Sequence, residues 1–289
     1  MRYEVPASVA AAVDLLATPD ARVLAGGTDL LVQLRAGRIK PATLVDIKKI
    51  PELKQIHLEP DLIRIGAAVS GAELGEHATI SKEWPGVVEA FELIGSTQVQ
   101  GRASLGGNLC NASPAADSVP ALIAAAAVCL IAGPGGQRSV PVEEIITGPG
   151  RTSLQAGEFV LEIQLPRQLP NSGDAYLRLI PRTEMDIAVV GAGVNLTLDD
   201  NGVCTAARVA LGAVAPRPLL VAEAAAALCG TRLDDTALEQ AAAAARNACQ
   251  PIDDKRGTVD YRINVAGVLV KRAARIALQR AQQRTPRGH

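Results

Sequence analysis

Hydrophobic positions recur along the chain in two rhythms, and the segments they mark alternate. Val9, Ala12, Val13 and Leu16 lie at helical spacing behind Ser8, a side chain suited to cap a helix N-terminus. Residues 22–25 read as a short strand that runs into Gly26, Gly27, Thr28 and Asp29, and a helix is predicted from 30 to about 38. Strands are predicted at 43–47 and 62–69, and helices at 70–77 and 85–94. A long Gly-, Ser- and Asn-rich stretch then covers 95–117, and its composition argues against regular helix. A connection of that length is functional or disordered, and its place between two apolar helices favours order. A helix at 117–127 and strands at 128–132, 138–142 and 158–165 complete a first α/β unit.

The pattern changes after the Pro-, Gly- and Asn-containing linker at 166–173. Three apolar runs, 175–180, 187–198 and 203–214, predict strands, and Asn201-Gly202 between the last two is a hairpin signal. Helices are predicted at 221–228, 235–249 and 260–284. Strands followed by helices indicate an α+β second domain, an antiparallel sheet under a helical layer. The expected domains are 1–168 and 174–284.

Composition narrows the classes. Of 289 residues, 48% are hydrophobic, which excludes a disordered chain and suggests roughly two domains. Only 2% are aromatic, so the core is built from aliphatic side chains, and few rings exist to stack on a flat ligand. A net charge of −1 provides no field for nucleic acid or an anionic membrane. The basic run from Lys271 to Arg287 has helical spacing and reads as a solvated helix face with a frayed tail. The N-terminus does not resemble a signal peptide, and the longest apolar stretch, 121–132, is too short to span a bilayer. The five cysteines form no C-x-x-C pair and the three histidines no metal-ligand spacing, so reduced thiols in a cytoplasmic protein are expected.

Three glycine motifs carry the candidate chemistry. In the first, Gly26 and Gly27 let backbone approach a ligand, while Thr28 and Asp29 can cap the following helix. Alone this is a common strand–turn–helix junction. In the second, Ser104, Gly106, Gly107 and Asn108 lie beside Asn111, Ser113 and Asp117, a dense set of hydrogen-bonding groups. Two Gly-Gly turns in one unit suggest a ligand with a pyrophosphate. The third, Gly191-Ala192-Gly193, begins like a dinucleotide fingerprint, but Leu196 stands at its sixth position and a hairpin follows instead of a helix. Small residues packed in a sheet explain it better.

Three segments together, AGGTDLLVQLR at 25–35, SLGGNLCNASPAAD at 104–117 and YLRLIPRTEMDIAVVGAGV at 176–194, resemble the FAD-binding medium subunit of the molybdenum hydroxylases, the xanthine dehydrogenase and carbon monoxide dehydrogenase family. The resemblance runs over nearly the whole chain. It implies a PCMH-type FAD-binding domain of two α/β subdomains, followed by a three-stranded antiparallel sheet with a helical bundle. It implies that Leu24, Ala25, Gly26, Gly27, Thr28, Asp29, Leu30 and Leu31 wrap the FAD pyrophosphate. By the same resemblance, Ser104, Gly106, Gly107, Asn108 and Asp117 lie near the flavin nucleotide, Val160 supplies a backbone contact, and Arg178 stands where some members carry Lys. Tyr176 would be the one ring near the isoalloxazine, and Ile94 replaces a Phe found in some members.

The implied role is electron transfer, with no catalytic acid, base or metal ligand in this chain. A large molybdopterin subunit and a small subunit with [2Fe–2S] clusters would pass electrons to FAD, and FAD to an external acceptor, in a heterotrimer or a dimer of heterotrimers. The absence of clustered cysteines argues against the branch that carries a [4Fe–4S] cluster in this subunit. Two other readings stay open: a nicotinamide-binding Rossmann oxidoreductase built on Gly191-Ala192-Gly193, and a flavin-free structural subunit.

Overall fold

The computed structural model describes residues 1–284. Its strands are β1 (Arg2–Glu4), β2 (Ala21–Leu24), β3 (Thr43–Asp46), β4 (Ile56–Leu58), β5 (Leu62–Gly66), β6 (Val128–Gly133), β7 (Gly136–Pro141), β8 (Ile146–Gly148), β9 (Arg151–Thr152), β10 (Phe159–Pro166), β11 (Ser172–Leu179), β12 (Val190–Leu198), β13 (Cys204–Gly212) and β14 (Leu219–Leu220). The helices are α1 (Val9–Leu16), α2 (Leu30–Arg35), α3 (Gly71–Glu76), α4 (Ala78–Glu83), α5 (Pro85–Glu92), α6 (Thr97–Gln100), α7 (Leu105–Cys110), α8 (Ser118–Ala124), α9 (Ala222–Leu228), α10 (Asp235–Ala248) and α11 (Val259–Gln283).

The first half holds two layered α/β parts. One is a parallel sheet of order β1-β3-β2 with α1 and α2. The other is an antiparallel sheet of order β4-β5-β10-β6-β7, with α3 to α8 around it. Their apolar faces share one core, in which Trp84, Phe91 and Phe159 are the largest fully buried side chains. The expected two-subdomain arrangement is therefore present. A second core lies between the sheet β11-β12-β13-β14 and helices α9 to α11. The expected three strands are all there, and the two-residue β14 adds a short fourth edge. The hairpin at 199–202 closes as predicted: Asp199 Oδ1 accepts from the N–H of Asn201 at 2.9 Å and of Val203 at 2.8 Å, and Gly202 takes φ +76°.

Two expectations need correction. The stretch 95–117 is not helix-free, since it folds α6 and α7. Ser104 makes α7 possible by capping it, its Oγ accepting the Gly107 N–H at 3.1 Å. Gly106 is the cost of close packing, because a Cβ there would lie 2.7 Å from the Cβ and carbonyl of Ala67. The basic face of α11 is also not simply solvated. Lys271 pairs with Glu239 and Arg275 with Asp235, but Arg280 reaches Glu89 on α5 and the Asp174 carbonyl. The second core is thereby tied to the first. Residues 285–289, which include the end of the basic run and His289, lie outside the described residues.

No described helix is long and apolar enough to cross a membrane.

Candidate functional site

Parallel strand β2 ends at Leu24, and the chain must turn to enter α2. Gly27 makes that turn at φ +78°, a conformation that L side chains rarely adopt. Gly26 is demanded for a different reason: a Cβ there would lie 1.9 Å from the Arg102 carbonyl oxygen. The first glycine turn is thus pressed against the residues just before Ser104, where the second motif starts. Gln33 on α2 fastens the two from the other side, its Nε2 donating to Asn111 Oδ1 at 3.0 Å.

Between them opens a cavity of about 560 Å³, within the range of sites for sizeable organic ligands. Ala25, Gly26, Gly27, Thr28, Asp29 and Leu30 form one wall, Ser104, Gly106, Gly107 and Asn108 another, and Ile94 and Val160 also line it. The N–H groups of Gly26, Gly27, Thr28, Asp29 and Leu30 donate to no backbone carbonyl among the described residues. A row of such groups at the start of a helix is a ready anion cradle. Burial raises the Asp29 carboxyl above its ordinary value, and Asp29 makes no side-chain cap to α2. Asn108 holds its carbonyl side toward Ser118, whose hydroxyl donates to Oδ1 at 2.7 Å. Burial pushes the Cys110 thiol, also in the lining, up to about 12, so it stays protonated and unreactive.

Five expected residues stand outside the lining. Leu24 is buried under the turn, and Leu31 faces outward, 44% exposed. Asp117, Tyr176 and Arg178 form a separate buried cluster. Tyr176 Oη donates to Asp117 Oδ1 at 2.9 Å, and Arg178 Nη1 donates to Oδ2 at 2.6 Å. Burial pushes Asp117 up to about 6, against the pull of Arg178 and Tyr176 toward the charged form. Arg178 Nε is buried without a partner. The ring that does line the cavity is Phe159, at the start of β10.

Sequence reasoning missed the wall formed by Gly150, Thr152 and 154–159. A weak signal existed in Gly148-Pro149-Gly150 and in Gly157, which takes φ +80°. Arg22 was read only as part of a strand, yet it puts a cation in the lining.

The third glycine motif holds no turn. Gly191 and Gly193 lie inside antiparallel β12. A Cβ on Gly191 would meet Tyr176 Oη at 2.5 Å, and one on Gly193 would meet the Pro120 carbonyl at 2.6 Å. Protein fills the space that these glycines leave, so no dinucleotide turn exists there.

Comparison with known proteins identifies the family. The family described as the FAD binding domain in molybdopterin dehydrogenase matches residues 1–168, and the carbon monoxide dehydrogenase flavoprotein C-terminal domain matches 175–277. The carbon monoxide dehydrogenase medium chain of Hydrogenophaga pseudoflava is 35% identical over 280 residues, 96% of this chain and 97% of that one. The xanthine dehydrogenase FAD-binding subunit of Escherichia coli O157:H7 is 32% identical over 273 residues, 93% of each chain. Among solved structures, the carbon monoxide dehydrogenase of H. pseudoflava superposes with a TM-score of 0.93 at 35% identity, covering 97% of this chain and 98% of that one. Quinoline 2-oxidoreductase from Pseudomonas putida 86 superposes at 0.90 with 30% identity and the same coverage. The chain therefore belongs to the FAD-binding medium-subunit family of the molybdenum hydroxylases, oxidoreductases that include the carbon monoxide and xanthine dehydrogenases.

Proposed function

We propose that this chain holds FAD in the cavity between its two glycine turns and relays electrons from an iron–sulfur subunit to an external acceptor. The observation that carries this reading is the row of unpaired N–H groups at Gly26 to Leu30, facing a second glycine-rich wall across a ligand-sized space. The residues fit the group: amides and Arg22 suit a pyrophosphate, Asp29 can accept from hydroxyls, and aliphatic Ile94 and Val160 with Phe159 suit a flat apolar surface. When bound, FAD would supply the redox chemistry, taking electrons singly and giving them up singly or in pairs. The protein's own task is to bind, orient and shield. An unreactive Cys110 in the lining accords with that.

The proposed boundaries are 1–168 for the flavin domain and 174–284 for the C-terminal domain. The proposed binding set includes Asp117, Tyr176 and Arg178, which would meet the cofactor from beneath the lining. The proposed partners are a large molybdopterin subunit and a small [2Fe–2S] subunit, in a heterotrimer or its dimer. Relatives named as medium chains and complex subunits support that. Five unpaired thiols support a reducing, cytoplasmic setting.

The test is a spectral titration of the purified chain with FAD and, separately, NADH. A flavin spectrum that binds and shifts supports the proposal, and binding of NADH by a colourless protein overturns it. Bulky residues at Gly26 and Gly107 provide the counter-test: a complex that keeps full activity without bound flavin would make this chain a structural bridge.

A further inference from the structure

The free Gly26 N–H belongs to a peptide unit whose other end is tied down. In a trans peptide the carbonyl and the N–H point in opposite directions from a rigid plane, and no cis peptide is present among the described residues. The carbonyl of that unit, Ala25 O, accepts from Lys48 Nζ at 2.9 Å. Lys48 is not in the cavity lining, whereas Ala25 and Gly26 are. Lys48 thus lies on the far side of the turn and grips it by the carbonyl.

Lys48 is itself held in place. Its Nζ lies 2.8 Å from Asp46 Oδ1, and the same oxygen accepts the Lys48 N–H at 3.0 Å. Asp46 is buried at the end of β3, and its Oδ2 accepts from Tyr3 Oη at 2.5 Å. Burial opposes charge on Asp46, yet Lys48 and Tyr3 hold its carboxyl below the ordinary range. The chain of contacts runs from Tyr3 on β1 through Asp46 on β3 to Lys48 and the turn after β2, so all three strands of the parallel sheet contribute. On the opposite side, the Arg102 carbonyl leaves no room for a Cβ on Gly26. The peptide is thus bonded at its carbonyl end and closely packed at Gly26.

We propose that Lys48 is a positioning residue for the phosphate-binding turn: its ammonium fixes and polarises the Ala25–Gly26 peptide so that the Gly26 N–H points at an anionic diphosphate in the cavity. This rests on the flavin reading above. A cation on the carbonyl end strengthens the dipole at the N–H end, as in any chain of hydrogen bonds in a low-dielectric setting. The class of ligand favoured is a dinucleotide diphosphate, because the effect acts on negative charge at the turn and not on a flat ring.

The experiment uses the full chain freed of flavin, with Lys48→Met, Lys48→Gln and Lys48→Arg beside wild type. FAD affinity is read by fluorescence, the bound diphosphate by phosphorus NMR and the flavin ring by its visible spectrum. The expected result is a roughly tenfold weaker FAD complex for Lys48→Met, a smaller loss for Lys48→Gln, which can donate without charge, and near recovery for Lys48→Arg. The phosphorus resonances should move in the Met and Gln variants while the visible spectrum stays put. Unchanged affinity and phosphorus shifts in Lys48→Met overturn the proposal. So does an equal disturbance of phosphorus and ring signals with a lowered melting temperature, which is the mark of a merely structural contact. If wild type binds no FAD, the flavin reading falls instead, and that is read before any variant is compared.

Discussion

Glycines in the two halves of this molecule do opposite work. In the first half, Gly26 and Gly106 bring backbone against backbone at Arg102 and Ala67, and the close approach frames a cavity on the other side. In the second half, Gly191, Gly193 and Gly212 also remove side chains, but Tyr176 and Pro120 occupy the space. Pro120 belongs to α8, so the glycines of β12 and β13 are what allow a helix of the first half to lie on the sheet of the second. A glycine motif therefore declares that space is needed and leaves open whether protein or ligand takes it.

The sharpest way to break this comparison is Gly26→Val. The new side chain has no accommodation beside the Arg102 carbonyl, and the turn must move. Flavin should be lost, with a fall in affinity of roughly a hundredfold or more, read as missing visible absorbance in a protein whose circular dichroism stays native. A variant that folds and keeps its flavin would refute the assignment of this turn.

Gly193→Val should do the reverse. It forces the Pro120 carbonyl away and should cost about 3 kcal/mol in urea denaturation, while the remaining folded protein still binds FAD. Loss of flavin without loss of stability would reopen a nucleotide site on β12.

Acid–base behaviour sharpens the same contrast at the seam between the halves. Asp174 is buried on β11, and burial pushes its carboxyl up to about 7, despite Arg280 and Arg284 nearby. The native state therefore holds this proton where the unfolded chain has released it. The contribution to stability is full below about 4, the ordinary carboxylate value, and is lost as pH rises through about 7. Asp174→Asn should flatten the pH dependence of unfolding in that window by on the order of 2–3 kcal/mol. A wild-type profile that is flat there, or one unchanged by the substitution, would contradict the sign.

The smallest effects separate two arginines of one helix. Arg280 bridges to Glu89 across the seam and is half-buried, so Arg280→Ala should cost about 1–2 kcal/mol. Arg275 meets Asp235 in water, and Arg275→Ala should stay within about 0.5 kcal/mol of wild type. Equal losses would mean that α11 is not a tie between the halves.

Much of this was legible in the chain. Both Gly-Gly pairs, the strand before the first, the hairpin at Asn201-Gly202 and the long helices of the second half follow from local periodicity and turn chemistry. The helix at Leu105–Cys110 was not legible, because two glycines argue against helix and only the Ser104 cap and the contact with Ala67 reverse the balance. The wall at 154–159 was hidden for a similar reason: its residues are ordinary, and their place beside the turn comes from β10 pairing with β5 and β6.

The sequence by itself determined where most of the helices, strands and glycine turns form, since those depend on neighbours within a few residues. It also determined the family, through motifs that keep their order and spacing. The tertiary structure decided which glycines frame a cavity and which are filled. It brought Asp117 to Tyr176 and Arg178, some 60 residues away, and placed Lys48 behind the turn at Ala25. These are statements about which segments share a space. Only long-range packing brings distant segments together, and no local pattern of residues encodes it.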